Sequence, residues 1–374
     1  MGKLQIRHPV FRQAPRVTFG RGSLRSALAE VATDSRFVLS SASAVRSLVD
    51  DAAERVGVAL SATNCFVKPA GEPSADMVRA TAAFLADAPG APVVAVGGGS
   101  VLDLARLGWA SAFAKLDLET ARLAVDTDVE PRFVLVPTTC GTGAEAADVA
   151  VYLSDNERKL AAVDQRLLAK DVVLDGRFLD GIDSADMAGF ICDALSHAIE
   201  SGYSVVPSAM AKGIAAQALR TLVANFADAG GDSRKDRLLE GSFWAGLAAA
   251  NCSVGIVHAF AHSIGAHGVP HGIANAVALL PGIRFNAETS QLNDWLQATS
   301  YASVDELLDA IQPIVAAAMP RANKYAAFSL LADAAFRHDL VQAMRSDVAI
   351  RANPRRADDT ELAKFVDTVA DQLH

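Results

Sequence analysis

The pattern of apolar and polar residues changes about halfway along the chain. In the first half, continuous apolar runs alternate with stretches of helical periodicity, such as the one at 101–115. The apolar runs are residues 36–40, 92–96, 133–137 and 171–175. Because they lack the alternation of a half-exposed strand, they predict strands buried on both faces, as in a parallel sheet. Strands that alternate with helices predict a doubly wound, Rossmann-like α/β domain.

The second half predicts helices only. From about Ser184 the chain is rich in alanine, with helical periodicity and few β-branched runs, and the segment 211–226 is typical. A boundary therefore falls within 176–183. We expect an α/β domain at 1–180 and an all-α helical domain at 181–374.

Composition and charge exclude several classes of partner. The 374 residues include 34 Lys and Arg against 43 Asp and Glu, and no long basic run occurs. This balance argues against nucleic acid and against an anionic membrane surface. The first eleven residues lack the apolar core of a signal peptide, and no run of about 18 apolar residues could span a bilayer. We therefore expect a cytoplasmic globular protein with no nucleic-acid or membrane partner.

Two loops that follow predicted strands carry groups suited to a nucleotide. Residues 97–100 are Gly-Gly-Gly-Ser before a helix, where backbone N–H groups and the helix dipole favour a phosphate. Thr138, Thr139 and Thr142 follow the next strand along the chain and supply three hydroxyls. A tight turn explains either loop alone, but two at one carboxyl edge of a sheet predict a nucleotide site.

Histidine is concentrated in one segment of the chain. Four of the eight histidines lie within fourteen residues, and they are His258, His262, His267 and His271. Asp193 and His197 are four residues apart, which places them on one face of a helix. A set of one carboxylate and several imidazoles suits Fe²⁺ or Zn²⁺ better than Mg²⁺ or Ca²⁺. The alternative is a group of core histidines with satisfied hydrogen bonds.

Five motifs, in order, resemble those of the iron-containing (group III) alcohol dehydrogenases, in the dehydroquinate synthase-like superfamily. They are FGRG at 19–22, GGGSVLD at 97–103, PTTCGTGAE at 137–145, DALSHAIE at 193–200 and HAFAHSIGAHGVPHGIANAVALLP at 258–281, with ANPR at 352–355 near the C-terminus. The resemblance implies an NAD(P)-binding first domain and a metal-binding, catalytic second domain. It also implies a homodimer that interconverts an alcohol and an aldehyde or ketone by hydride transfer.

The resemblance also assigns roles to the histidine segment. Asp193, His197, His258 and His271 match the four metal ligands, for Fe²⁺ with Zn²⁺ as an alternative. His262 matches the non-ligand histidine near the nicotinamide. An imidazole with its usual pKa near 6.5 suits a catalytic proton relay, so we expect that role for His262.

The same motifs assign residues to the cofactor. The predicted cofactor-binding residues are Gly98, Gly99, Ser100, Asp103, Thr138, Thr139, Thr142 and Lys159. An alternative for Asp103 is an acid that complements the dipole of its helix.

Some residues depart from the family pattern. Ile191 and Cys192 precede Asp193 where the family usually has a glycine at the first of these positions, and Arg106 replaces a usual lysine. The stretch 40–43 holds no carboxylate to repel a 2′-phosphate, so the choice between NAD and NADP stays open. His267 is an additional histidine that either contacts substrate or lies exposed in a loop.

Two related activities are alternatives. A maleylacetate reductase belongs to the same superfamily, but that branch tends to alter the positions of Asp193 and of the PHGIANA segment, which are retained here. A dehydroquinate-synthase-like lyase would use a Glu ligand and several phosphate-binding basic residues, which are sparse around these motifs.

Overall fold

A computed structural model describes residue 11 and residues 16–31, 34–124, 127–227 and 231–373. The prediction that the first eleven residues are not a signal peptide therefore falls outside these ranges, except for residue 11. The described residues form two compact units. One falls within Gln13–Asp180 and Gly230–Phe243, and the other comprises residue 11 with the described residues of Gly181–Ala229 and Trp244–His374.

The first unit contains a six-stranded parallel sheet. Its strands are β1 Arg16–Phe19, β2 Arg36–Ser40, β3 Cys65–Lys68, β4 Val93–Gly97, β7 Phe133–Pro137 and β10 Asp171–Leu174. Their order across the sheet is β1-β10-β7-β4-β2-β3. Two antiparallel pairs are separate from this sheet: β5 Leu116–Asp117 with β6 Arg122–Leu123, and β8 Val149–Leu153 with β9 Lys159–Val163. The order in which successive strands are added to the sheet reverses between β2 and β4, because β3 lies on one side of β2 and β4 on the other. Such a reversal creates a crevice at the carboxyl ends of the two strands.

Helices pack on this sheet. They are α1 Ser23–Glu30, α2 Ser43–Arg55, α3 Ala75–Ala86 and α4 Gly99–Phe113. Every residue of β4 and β7 is buried, as their continuous apolar runs predict. Burial of each large apolar side chain here contributes about 1.5–3 kcal/mol. The predicted fold class is confirmed: a parallel α/β domain is joined to a helical one.

The second unit is helical. Its helices are α5 Ser184–Tyr203, α6 Ala209–Ala227, α8 Ile256–Gly265, α9 His271–Asn286, α10 Ser290–Leu296, α11 Val304–Ala322, α12 Ala326–Ser329, α13 Ala334–Ser346 and α14 Asp359–Asp371, with the later part of α7 Asp232–Cys252. The earlier part of α7 belongs to the first unit, where the Gly176 N–H donates to Asp236 Oδ1 at 2.8 Å. The predicted division into an α/β domain at 1–180 and a helical domain at 181–374 therefore remains a prediction.

Among the described residues, no single helix is both long and apolar enough to cross a bilayer, although the bent pair Ser233–Cys252 and Ile256–Gly265 meets that length and composition when counted together.

Candidate functional site

Helix α5 carries the first two metal-type side chains. Asp193 and His197 are one turn apart, and the distance between His197 Nδ1 and Asp193 Oδ1 is 3.5 Å. Asp193 is 2% exposed, and its Oδ1 accepts a hydrogen bond from Asn275 Nδ2 at 2.9 Å. A buried carboxylate needs such donors or a cation, because desolvation of its charge is costly.

Two further histidines converge on Asp193. His258 on α8 has its Nε2 3.7 Å from Asp193 Oδ1, and His271 at the start of α9 has its Nε2 3.4 Å from the same oxygen. Ligand atoms of these three residues all lie within 4.8 Å of one another. His197 borders that group, since its Nε2 lies 3.1 Å from His258 Nε2. The structure thus brings together all four residues predicted to bind metal.

The geometry of this cluster fits a small divalent cation. Bonds of about 2.0–2.2 Å to a tetrahedral ion place the ligand atoms roughly 3.4 Å apart. The contacts with Asp193 Oδ1, at 3.4, 3.5 and 3.7 Å, are close to that value. His197 Nδ1 is also buried and has no hydrogen-bond partner among the described residues. This mixed oxygen and nitrogen set suits Fe²⁺ or Zn²⁺.

Charge within the cluster is unevenly distributed. Burial would raise the pKa of Asp193, but His271, His197 and His258 outweigh it and hold that pKa well below its usual range. Burial and the charge of His258 lower the pKa of His197 to about 4. For His258, burial is outweighed by hydrogen bonds to Asp193 and Glu200, which raise the pKa to about 9. His197 is therefore a neutral imidazole that can offer an electron pair.

Glu200 orients His258 and was not singled out from the sequence. Its Oε2 lies 2.6 Å from His258 Nδ1, and its Oε1 accepts from the Val257 N–H at 2.8 Å. The carboxylate is 1% exposed and lies at the N-terminus of α8, where a negative charge is favourable. A carboxylate that holds one ring nitrogen leaves the other directed at the metal position. Its place three residues after His197, in DALSHAIE, is the available sequence signal.

His262 lies beside the cluster and has its own partner. Its Nδ1 is 3.0 Å from Asp347 Oδ2, and its ring stacks on His271 with centroids 5.4 Å apart and an interplanar angle of 11°. The side chain is 33% exposed, so it remains accessible to a ligand. Asp347 was not predicted from the sequence, because it is 85 residues away along the chain.

His267 is separate from this group. It is exposed, and its ring meets Phe336 edge-on with centroids 4.8 Å apart. Two roles were predicted for His267, a substrate contact and an exposed loop residue. Its position in the structure is that of an exposed loop residue.

Two glycines allow helices α5 and α9 to approach closely. A Cβ atom on Gly272 would lie 2.5 Å from the carbonyl oxygen of Gly189, which is shorter than real contacts allow. Gly272 directly follows His271, and Gly189 is one turn before Asp193. The contact therefore sets how near His271 comes to Asp193. The family's usual glycine position is occupied here by buried Ile191.

The two predicted cofactor loops lie side by side in the α/β unit. They follow β4 and β7, which pair in parallel, and the Thr138 N–H donates to Gly97 O at 3.0 Å. Gly98 caps α4, and a Cβ on Gly99 would lie 3.0 Å from Thr142 Oγ1. The two loops therefore lie close together, and the backbone N–H groups at the start of α4 suit an anionic ligand.

Asp103 and Lys159 differ from the other predicted cofactor residues. Asp103 Oδ1 accepts from Arg106 Nη2 at 2.5 Å, and its Oδ2 accepts from the Val151 N–H at 3.0 Å. These contacts make Asp103 a link between α4 and β8, and its cofactor role remains a prediction. Lys159 is half-exposed on β9, 3.8 Å from Glu72 Oε1, and its cofactor role remains a prediction.

The sequence of this chain is similar to those of known proteins. Residues 14–176 match the iron-containing alcohol dehydrogenase family, and residues 188–364 match the C-terminal region of the Fe-containing alcohol dehydrogenase family. A probable alcohol dehydrogenase EutG of Escherichia coli is 30% identical over 317 residues, covering 80% of this chain and 78% of that protein.

Solved structures give the same result for the fold. An iron-containing alcohol dehydrogenase from Thermococcus thioreducens superposes with a TM-score of 0.80 at 22% identity, covering 97% of this chain and 100% of that one. A sulfoacetaldehyde reductase from Bifidobacterium kashiwanohense, solved in complex with NAD+, gives 0.79 at 22% identity, covering 96% and 98%.

A parallel α/β unit with glycine and threonine loops, joined to a helical unit with an Asp and His cluster, defines a metal-dependent dehydrogenase. More narrowly, the chain belongs to the iron-containing alcohol dehydrogenase family. It is therefore an oxidoreductase that acts on alcohols, and the family, fold and activity predicted from the sequence are confirmed.

Proposed function

We propose that this enzyme interconverts an alcohol and an aldehyde or ketone with Fe²⁺, or alternatively Zn²⁺, held by Asp193, His197, His258 and His271. The observation that carries the proposal is the convergence of three imidazoles on Asp193 Oδ1, at 3.4 to 3.7 Å. A divalent ion held there would lower the pKa of a substrate hydroxyl and polarise a carbonyl.

His262 serves in this proposal as the proton relay. Asp347 lies 3.0 Å from Nδ1 of the ring, so the hydrogen-bond network assigns the Nδ1–H tautomer. In that tautomer Nε2 carries a lone pair and can accept a proton from the alcohol. In the reverse direction the protonated ring returns it. Asp347 holds the ring orientation in both directions.

The two loops of the α/β unit hold NAD(P) in this proposal. Backbone N–H groups of Gly98, Gly99 and Ser100 at the start of α4 suit the pyrophosphate. Hydroxyls of Thr138, Thr139 and Thr142 suit the ribose or the carboxamide, and Lys159 is a further proposed contact. The nicotinamide itself supplies the hydride chemistry.

Several finer features belong to the same proposal. They are a cytoplasmic location, a homodimer, and a nucleotide domain at 1–180 followed by a catalytic domain at 181–374. Because the stretch 40–43 holds no carboxylate, NADPH is tested alongside NADH.

The test combines metal analysis with activity. Purified protein is analysed for iron and zinc, and oxidation of NADH and NADPH is followed across a panel of simple aldehydes, with maleylacetate as a further arm. We expect about one ion per chain and turnover of aldehydes that is lost on chelation and restored by metal. Full turnover after complete metal removal would contradict the proposal. A strong preference for maleylacetate would favour the reductase alternative.

A further inference from the structure

Arg106 is a fully buried guanidinium, 0% exposed, in helix α4 of the α/β unit. Its Nη1 donates to Ala147 O at 2.6 Å, its Nη2 donates to Asp103 Oδ1 at 2.5 Å, and its Nε donates to Leu102 O at 3.3 Å. A buried arginine is tolerated only when it is paired and its donors are satisfied. Here all three nitrogens have acceptors, so the side chain holds one conformation.

The contacts of this pair lead to both cofactor loops. Helix α4, which carries Asp103 and Arg106, begins at Gly99 in the first loop. Ala147 follows the 3₁₀ turn Ala144–Ala146 that closes the second loop. Asp103 Oδ2 reaches further along the same segment and accepts from the Val151 N–H at 3.0 Å. The pair therefore ties the helix behind the first loop to the chain behind the second at two points.

The two loops are in close contact, and the spacing between them is tight at Gly99 and Thr142. An added Cβ on Gly99 would lie 3.0 Å from Thr142 Oγ1, and one on Gly98 would lie 3.6 Å from Thr139 Cγ2. A displacement of about 1 Å between such loops changes which groups can contact one ligand together. Hydrogen bonds between helix α4 and the chain that follows the second loop limit that displacement.

We propose that the buried Asp103–Arg106 pair is a positioning element that sets the spacing of the two loops, so that both contact one dinucleotide. This inference rests on the proposed cofactor role of the loops. Neither side chain needs to touch the cofactor, since both act through the backbone of the segments they hold.

An arginine is better suited to this task than the lysine usual in the family. Its planar fork presents separate nitrogens in a fixed plane, which here serve Ala147 O and Asp103 Oδ1. A lysine carries its three donors on one flexible nitrogen. Arg106→Lys keeps the charge but holds the two acceptors less rigidly, so we expect an effect between wild type and Arg106→Met.

The experiment compares Asp103→Asn, Arg106→Met and Arg106→Lys with Leu28→Ala. Leu28 is 1% exposed in α1, which packs against α2 and β10, so its truncation lowers stability without touching the loops. Each variant is measured for NADH affinity by fluorescence titration, for KM and kcat, for metal content and for Tm.

We expect Asp103→Asn and Arg106→Met to raise the Kd and KM for NADH by about tenfold or more, and Arg106→Lys by less. The kcat at saturating NADH and the metal content should stay near the wild-type values. Leu28→Ala should lower Tm and leave the NADH affinity unchanged.

Two results would overturn the inference. One is NADH affinity within about twofold of wild type in folded Asp103→Asn, which keeps the side-chain shape but loses the charge. The other is a comparable rise in Kd for Leu28→Ala at the same loss of Tm, which would make the effect one of general stability. If Arg106→Met does not fold, Asp103→Asn and Arg106→Lys decide. A wild-type protein that does not bind NADH would instead overturn the proposed cofactor role of the loops.

Discussion

The metal cluster and the cofactor loops are built from different parts of the polypeptide. The cluster consists of side chains, and Asp193 and His258 in it are almost fully buried. The loops offer backbone N–H groups and hydroxyls at the ends of β4 and β7, with glycines where contact is close. Removing atoms should therefore disable the cluster, whereas adding or shifting atoms should disable the loops. Variants of the cluster and of the chain next to the loops show how far that difference holds.

The largest expected effect comes from removing one imidazole of the cluster. His271→Ala leaves Asp193 without the partner now 3.4 Å from its Oδ1. Loss of an outer partner of a metal ligand typically costs 10–100-fold in affinity, so loss of a ligand should lower metal affinity and turnover by more than about a hundredfold. NADH binding should persist, because the loops lie in the other unit. Elemental analysis and NADH fluorescence measure the two quantities.

The matched control is His267→Ala. This histidine is exposed, and its ring contacts Phe336 rather than the cluster. We expect metal content and turnover close to those of wild type. A raised KM for the aldehyde in this variant would instead support the substrate-contact role of His267. Retention of metal by His271→Ala would refute its assignment as a ligand.

An added methyl group should also impair the cluster, by moving a helix. The Cβ of Gly272→Ala would lie 2.5 Å from Gly189 O, and backbone at that position cannot give way cheaply. Overpacking of this kind costs about 1–3 kcal/mol. Displacing the first turn of α9 moves His271, so we expect metal affinity to fall by about tenfold. Competition against a chelator measures the affinity.

Gly213→Ala, within α6, is the control. A Cβ at Gly213 meets nothing within 4 Å. Replacing glycine by alanine in a helix interior stabilises by about 1 kcal/mol, so Tm should rise while metal affinity stays constant. If Gly272→Ala behaves in the same way, close approach of α5 and α9 does not set the position of His271.

The sequence predicts the elements whose signal is local. The runs at 36–40 and 133–137 correspond to β2 and β7, because uninterrupted apolar residues mark strands covered on both faces. Strand β3 is missed because its sequence, CFVK, ends in a lysine. Lys68 is nevertheless buried, with its Nζ donating to Pro69 O and Gly71 O. The pattern of hydrophobic residues cannot predict that a lysine is buried when nearby carbonyl oxygens accept its hydrogen bonds.

The candidate site shows the same limit. Asp193 and His197 are predictable because one helical turn joins them. The residues that orient the cluster lie far away along the chain: Glu200 contacts His258 across 58 residues, and Asn275 contacts Asp193 across 82. Asp103 takes its structural role from Val151, which is 48 residues away. Such partners follow from tertiary packing, which one sequence does not specify.

The last expected effect is on stability rather than on metal binding, and it contrasts the buried carboxyl groups of the two regions. Asp193 faces imidazoles that lower its pKa, whereas burial raises the pKa of Glu145, next to the second cofactor loop, to about 7. Glu145 is 1% exposed, and its Oε2 has no hydrogen-bond partner among the described residues. Between pH 4.5 and about 7 the folded protein retains a proton that the unfolded chain has lost. The contribution of Glu145 to the free energy of unfolding is therefore full below pH 4.5, and it is lost as the pH rises through about 7.

Glu145→Gln should remove this loss of stability at higher pH, because a neutral amide has no charge to desolvate. Relative to wild type, the free energy of unfolding of the variant should rise between pH 5 and pH 8 by about 1–3 kcal/mol, measured by urea denaturation at both values. Glu54→Gln, at an exposed position of α2, should show no such change. If Glu145→Gln tracks wild type at both pH values, then the carboxyl of Glu145 is ionised in the folded protein at no cost. The α/β unit would then supply that group with compensation equal to what the imidazoles supply to Asp193.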